Sequence, residues 1–202
     1  ARERGLEFYD MRQHTGWLRN MIVRTTTTGE IMVNLVLGFE HRENREQLLA
    51  FIMESFPEIT TLLYTINTKN NDSIYDLVPQ TWHGQGYITE KLEDFKFKIS
   101  PKSFFQTNYK QALELYRKTI EFAEISENDV VYDLYTGTGT IAQYIAKKAK
   151  YVIGIESVQE AIDAAIEHAK LNGLENCEFH CGDMKDVFTE EFLANHPKAD
   201  VL

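Results

Sequence analysis

Two glycines, Gly137 and Gly139, stand between a short apolar run that ends in Asp133 and Leu134 and a segment with helical spacing. Strand, tight turn and helix start in that order form the layout of a site for a nucleotide-type ligand. Glycine suits the turn because a side chain on Gly137 or Gly139 would block the approach of ligand to backbone, and because such loops often require positive φ. Residues 137–142 fit the pattern G-x-G-x-x-A, and Glu156 ends the next apolar run. A carboxylate there can accept both hydroxyl hydrogens of a ribose diol. The competing reading, a plain strand-to-helix turn with a solvated Glu156, is weaker because strand, glycines, helix and acid occur in sequence. Two ligand classes share this layout. Nicotinamide dinucleotides set a pyrophosphate on the helix N-terminus, whereas S-adenosylmethionine sets its methionine portion near the loop and has no phosphate. Asp133 discriminates between them, since an acid just before the loop repels a pyrophosphate and can hold an ammonium group; it favours S-adenosylmethionine. Asp183, after a third apolar run, is placed to meet an adenine edge and equally to cap the turn that follows.

The elements that must position these residues can be read from periodicity. From Tyr109 onward the pattern alternates: helix 109–122, strand 130–134, helix 141–148, strand 151–155, helix 159–171, strand 177–180, helix 190–195 and an apolar stub 199–202. Strict exchange of strand and helix predicts a parallel sheet. Asn172 and Gly173 supply the helix stop that fixes its register. Upstream, the runs 16–26 and 30–39 joined at Thr27, Thr28 and Gly29 predict a hairpin. Leu48, Phe51, Ile52 and Phe56 predict a helix stopped by Pro57, and short strands are expected at 60–67, 74–78, 86–92 and 95–99. The expectation is therefore an α/β chain: a small, mostly antiparallel α+β domain over 1–100, then the first part of a Rossmann-like domain over 101–202. The stub at 199–202 is its fourth strand, so the chain is expected to end before its active site is complete.

Composition narrows the class. The 202 residues are 43% hydrophobic, enough for one large core or two small ones. No apolar run reaches the roughly 18 residues a membrane span needs and no signal peptide opens the chain, so no membrane is expected and the cytoplasm is the default location. A net charge of −10 supplies no overall basic field for a phosphate backbone. The local clusters (Arg2 and Arg4; Arg19 and Arg24; Arg42 and Arg45; Lys96, Lys98 and Lys102; Lys147, Lys148 and Lys150) read as solvated surface rather than binding patches. Trp82 and His83 read as cover for the small sheet rather than as a base-stacking platform.

Four segments carry a family resemblance: Ser103 to Asn108 (SFFQTN) ahead of a helix, Asp133 to Gly139 (DLYTGTG), Gly154 to Glu156 (GIE) and Leu171 to Gly173 (LNG). Together they resemble the RNA uracil-5-methyltransferases, which act on 23S rRNA or tRNA. The likeness is close over Phe95 to Leu202 and looser before it. It implies that Gln106, Tyr135, Thr140, Glu156 and Asp183 contact S-adenosylmethionine beside Gly137 and Gly139; the family often has asparagine where Thr140 stands. It also implies transfer of a methyl to uridine C5 in structured RNA, 23S rRNA ahead of tRNA. In that chemistry a cysteine thiolate adds to C6, making C5 enolate-like, and a general base later removes the C5 proton. The family's cysteine, base and Asp-Pro-Pro-Arg segment follow the fourth strand, so no catalytic residue and no methyl transfer are expected of these 202 residues.

Neither cysteine of the chain reads as that nucleophile. On a strand, Cys177, Phe179 and Cys181 share one face and Glu178 and His180 the other, so both cysteines are expected in or near the core. A metal on Cys177, Cys181 and His180 is not expected either, and the cysteine group on which family members often carry an iron–sulfur cluster is lacking here. The rival readings are a nicotinamide-dependent oxidoreductase, a non-catalytic binding module, and methylation of a protein or small molecule by the same fold.

Overall fold

β-branched and apolar residues over Leu18–Thr25 (β1) and Ile31–Leu37 (β2) pair antiparallel through the turn at Gly29, whose φ is +86°. The computed structural model, which describes residues 1–202, continues with helix α1 (Arg42–Ser55), strand β3 (Thr61–Ile66) and strand β4 (Gln80–His83). The sheet order is β1-β2-β3-β4; the chain returns through α1, so β2 and β3 are parallel while the outer pairings are antiparallel. From Met32 onward β2 is buried on both faces, as a central strand should be. One face packs Val33, Leu35, Leu37 and Leu62 with Leu48 and Leu49 of α1. On the other, Thr65 Oγ1 donates to the buried Asn34 Oδ1 at 3.0 Å.

Three expectations fail in this region. Residues 74–78 form no strand; the sheet takes its fourth strand from 80–83, because Asn67, Asn71 and Asp72 build a loop fastened by Arg19. That arginine is not solvated surface: its side chain is 1% exposed, its guanidinium donates to Asn67 O (2.8 Å), Asn71 O (2.9 Å) and Asp72 Oδ1 (3.0 Å), and it lies 4.0 Å from the centroid of the Tyr9 ring. The buried stripe of α1 runs through Leu48 and Leu49, leaving Phe51 and Phe56 exposed.

Strands β5 (Ile88–Leu92) and β6 (Phe95–Ile99) form a separate two-stranded sheet. The chain divides into two compact units, one of Ala1–Lys91 with Lys98–Lys102, the other of Leu92–Phe97 with Ser103–Leu202. In the second unit α2 (Tyr109–Phe122) starts at Asn108, whose side chain accepts from Gln111 N at 3.2 Å as an N-cap. Its Ala112 and Tyr116 pack with Leu92, Phe95, Phe97 and Tyr144.

Strict alternation follows: β7 (Val130–Leu134), α3 (Thr140–Ala146), β8 (Tyr151–Glu156), α4 (Gln159–Leu171), β9 (Cys177–Cys181), then the short helices α5 (Met184–Val187) and α6 (Glu190–Asn195). β7, β8 and β9 are parallel, and Val201 bridges in parallel to Val131 on the free side of β7. The spatial order is thus β9, β8, β7 and the stub. Period-two alternation divides the strand side chains between two cores. Val131, Val152, Cys177 and Phe179 meet α3, while Val130, Tyr132, Ile153 and Ile155 meet Met184, Val187, Phe188 and Phe192. Helices on both faces of a parallel sheet make the doubly wound arrangement expected for 101–202. No helix is long and apolar enough to cross a membrane.

Candidate ligand site at the strand ends

The carboxyl ends of the three parallel strands are laced together by backbone hydrogen bonds. Thr136 N donates to Ile155 O (3.0 Å) and Gly182 N to Glu156 O (2.9 Å), so Tyr135 after β7, Glu156 at the end of β8 and Asp183 after β9 lie on one edge of the sheet. Ligands of open parallel sheets bind at this edge. Within the loop, Gly139 N donates to Thr136 O at 2.9 Å, and Tyr135, Gly137 and Gly139 all have left-handed backbones, with φ of +63°, +57° and +75°. For the aromatic Tyr135 that conformation costs about 1–2 kcal/mol. It is the type of strain that collects at ligand sites. Tyr135 is 73% exposed.

The two glycines have different reasons. A Cβ on Gly137 would meet nothing within 4 Å, so this position faces open space, as a backbone cradle for a ligand should. A Cβ on Gly139 would lie 2.9 Å from Ala165 Cβ and 3.1 Å from Phe179 Cε1. Gly139 is therefore required by helix–strand packing, not by ligand approach as the sequence suggests. The same Phe179 ring demands Gly154, where a Cβ would come within 2.6 Å of Phe179 Cδ1.

The acids hold the loop. Glu156 Oε2 accepts from Gly137 N at 3.2 Å, and Oε1 accepts from Ser157 Oγ (3.1 Å) and Val158 N (3.0 Å). The contact to Gly137 joins two of the expected site residues directly. Asp133 Oδ2 accepts from Thr136 Oγ1 at 2.7 Å. Burial raises the Asp133 carboxyl above its ordinary value, and the hydrogen bonds from Thr136 and the Ala142 backbone only partly oppose this. Asp183 caps α5, accepting from Lys185 N at 3.2 Å, and stays exposed toward solvent. Thr140 is buried at the first turn of α3, with its Oγ1 3.5 Å from that of Thr138, while Gln106 is exposed in the segment ahead of α2.

One supporting residue escapes the motif. His168, 1% exposed on α4, places Nδ1 3.1 Å from the carbonyl oxygen of Thr138 and so braces the loop from beneath. Its spacing from Ile162, Ala165 and Ala169 is the available signal, since all four fall on the buried face of α4.

The cysteines divide. Cys177 is partly buried in the α3 core, and burial pushes its thiol up to about 12, away from thiolate chemistry. Cys181, expected in or near the core, is exposed instead; it ends β9, and its Sγ lies 3.6 Å from Ser157 O.

Residues 125–202 match the protein family described as Methyltransferase domain. Over 195 residues the chain is 51% identical to a Porphyromonas gingivalis protein named an uncharacterized RNA methyltransferase, covering 96% of this chain and 42% of that protein. A Bacteroides thetaiotaomicron protein of the same name is 47% identical over 205 residues, with 100% and 45% covered. Among solved structures, the Pyrococcus abyssi tRNA (uracil-54, C5)-methyltransferase in complex with S-adenosyl-L-homocysteine superposes with a TM-score of 0.72 at 28% identity, over 90% of this chain and 43% of that one. The chain thus spans less than half the length of these relatives. With the strand order described above, these matches give the chain the mixed α/β architecture of RNA methyltransferases, its parallel sheet being the Rossmann-like part.

Proposed function

We propose that this chain is the methyl-donor-binding part of an S-adenosylmethionine-dependent RNA methyltransferase that acts on uridine C5, with residues 1–100 forming a small domain ahead of the cofactor domain. The observation that carries the reading is the joining of Gly137 to Glu156 at the strand ends, with Asp133 beneath the same loop. The residues fit the cofactor. Gly137 leaves open space against its backbone. The Glu156 carboxylate offers about four lone-pair sites, of which the loop uses three, and the Ser157 hydroxyl can rotate off to free another for a ribose diol. Asp133, whose carboxyl is raised above its ordinary value by burial, gains a charge partner that favours its ionised form when an ammonium group arrives.

Gly137 and Glu156 bind and orient, Tyr135 offers an aromatic face, Asp183 a carboxylate beside the adenine edge, and Thr140 and Gln106 complete the expected contacts. S-adenosylmethionine, when bound, supplies an electrophilic methyl group. The acceptor side is read from the family resemblance and from the similarity to the Pyrococcus abyssi enzyme. In that chemistry a cysteine thiolate adds to uridine C6, C5 would take the methyl from the sulfonium donor with S-adenosylhomocysteine as the leaving group, and a base removes the C5 proton as the thiolate is expelled from C6. Structured RNA is the proposed substrate, 23S rRNA ahead of tRNA. Neither Cys177 nor Cys181 is assigned the nucleophilic role; the family pattern puts it after the fourth strand.

Calorimetry with S-adenosylhomocysteine and with NAD tests the cofactor. Heat with the former and none with the latter is expected, and heat with NAD alone would overturn the reading in favour of an oxidoreductase. Methyl transfer is tested on uridine-containing RNA: turnover by these 202 residues alone would remove the downstream nucleophile.

A further inference from the structure

We propose that Glu178, His180 and His196 form a binding site for one divalent transition ion of the zinc class, lying between β9 and the end of α6. Alternation along β9 sends Cys177 and Phe179 to the α3 core and Glu178 and His180 to the opposite face, where the Phe192 ring lies 5.0 Å from that of His180. The chain then returns through α6 and brings His196 to the same spot, with the two imidazoles edge to face at 4.9 Å. Sequence spacing suggests a different set, Cys177, Cys181 and His180, which the pleat splits apart.

Three features make this cluster a site rather than a chance meeting. Its ligand atoms all lie within 4.8 Å of one another, with Glu178 Oε1 2.9 Å from His180 Nε2 and 3.4 Å from His196 Nε2. Zinc bonds of 2.0–2.1 Å in tetrahedral geometry separate neighbouring ligands by about 3.3 Å. Second, outer contacts already orient the ligands. His196 Nδ1 donates to Phe192 O at 2.7 Å, so that in the neutral ring Nε2 carries the lone pair available to a metal, and Tyr151 Oη donates to Glu178 Oε2 at 3.0 Å, which leaves Oε1 for the centre. Metal-binding imidazoles and carboxylates are held in this manner. Third, His180 Nε2 is buried without a hydrogen-bond partner, because Oε1, although close enough for an ion pair, lies off the line of the ring nitrogen. A proton on that nitrogen is not well used; a metal ion shared with Oε1 and His196 is. Two imidazoles and one carboxylate suit zinc and its first-row neighbours rather than magnesium or calcium, which prefer all-oxygen sets.

The position indicates a fastening role. Tyr151 opens β8 and Glu178 lies near the amino end of β9, while His180 lies near its carboxyl end in register with Ile155, on the face opposite the cysteines. The ion would tie the edge strand β9 to the segment that leads to Asp200 and Val201.

Titration of the protein with zinc chloride, followed by calorimetry and by thermal melting, tests this, together with the absorption spectrum of the cobalt(II)-loaded protein. One equivalent bound, a raised melting temperature, and cobalt bands in the visible without a thiolate charge-transfer band are expected. His180→Gln and His196→Gln should each lose the site. Tyr151→Phe should weaken it about tenfold. The double variant Cys177→Ser, Cys181→Ser should bind as before, and magnesium should not compete. Absence of stoichiometric binding, a thiolate band in the cobalt spectrum, or binding abolished only by the cysteine variant would overturn the site. The spectrum of the unaltered protein decides even if a histidine variant fails to fold.

Discussion

At the scale of residues, the two glycines of one motif should respond differently to the same substitution. Gly139→Ala adds a methyl 2.9 Å from Ala165 Cβ on a left-handed backbone, so a loss of roughly 2–4 kcal/mol of stability is expected, read by denaturant unfolding. Gly137→Ala meets open space, so only the backbone cost of about 1–2 kcal/mol applies, while affinity for S-adenosylhomocysteine should fall more steeply. Equal stability losses at both positions would contradict the assignment of one glycine to packing and the other to ligand. Asp133 yields a pH prediction. Its carboxyl lies above the ordinary 3.8 when folded, so the folded state keeps a proton that the unfolded chain has released. The contribution of Asp133 to the stability of the ligand-free protein should therefore fall as pH rises from about 3.8 through the raised folded value, and then stay level. Asp133→Asn should remove that slope, measured by unfolding across the pH range. The residue types and spacings of this site were legible in the sequence, because a glycine loop between a strand and a helix is a local pattern. What each residue leans on was not: the reason for Gly139 lies 26 and 40 positions along the chain, at Ala165 and Phe179.

At the scale of elements, α4 does more than cross between strands. His168 reaches Thr138 O from a helix that reads in the sequence as an ordinary amphipathic crossover. His168→Leu keeps the apolar face but leaves a loop carbonyl unpaired, a cost of about 1–3 kcal/mol. Weaker binding of S-adenosylhomocysteine should accompany the lower stability, although His168 is not among the proposed ligand contacts; calorimetry with unaltered affinity would show that the loop holds its shape without this brace. The alternating half was legible down to single residues at several element ends, including 109–122 and 159–171, because each helix has one clear face and a cap at Asn108 or Asn172. The first half was less so. An apolar run at 74–78 resembles a strand, yet loop residues 67–72 are fixed by Arg19 through contacts 48 to 53 positions distant, and the sheet receives its edge strand later. Phe51 of α1 and Phe56 at its C-cap are the largest apolar side chains there, but it is Leu48 and Leu49 that pack with the sheet.

At the scale of the whole molecule, the division into two units has a thermodynamic consequence. All the proposed ligand contacts, from Gln106 to Asp183, fall in the unit of Leu92–Phe97 and Ser103–Leu202. A ligand that binds only the folded form of that unit stabilises it by RT ln(1 + [L]/Kd), about 2.7 kcal/mol at a hundredfold excess over Kd. Differential scanning calorimetry of the 202-residue chain should then show S-adenosylhomocysteine moving a transition that includes the loss of this unit. The unfolding of residues 1–91, followed by exchange of backbone amides in β2 and β3, should be much less affected. The chain passes between the units at Lys91, Phe97 and Lys102, so the β5–β6 hairpin contributes residues to both. If the two units instead gained protection in equal measure, unfolding would be one cooperative event. Phe97→Ala, which empties a fully buried position packed with Tyr116 and Tyr144 at a cost of about 3–5 kcal/mol, would then destabilise β2 and β3 together with β7 and β8. With independent units the same substitution should lower protection in β7 and β8 and leave β2 and β3 unchanged, because the units then melt separately and Phe97 belongs to the second.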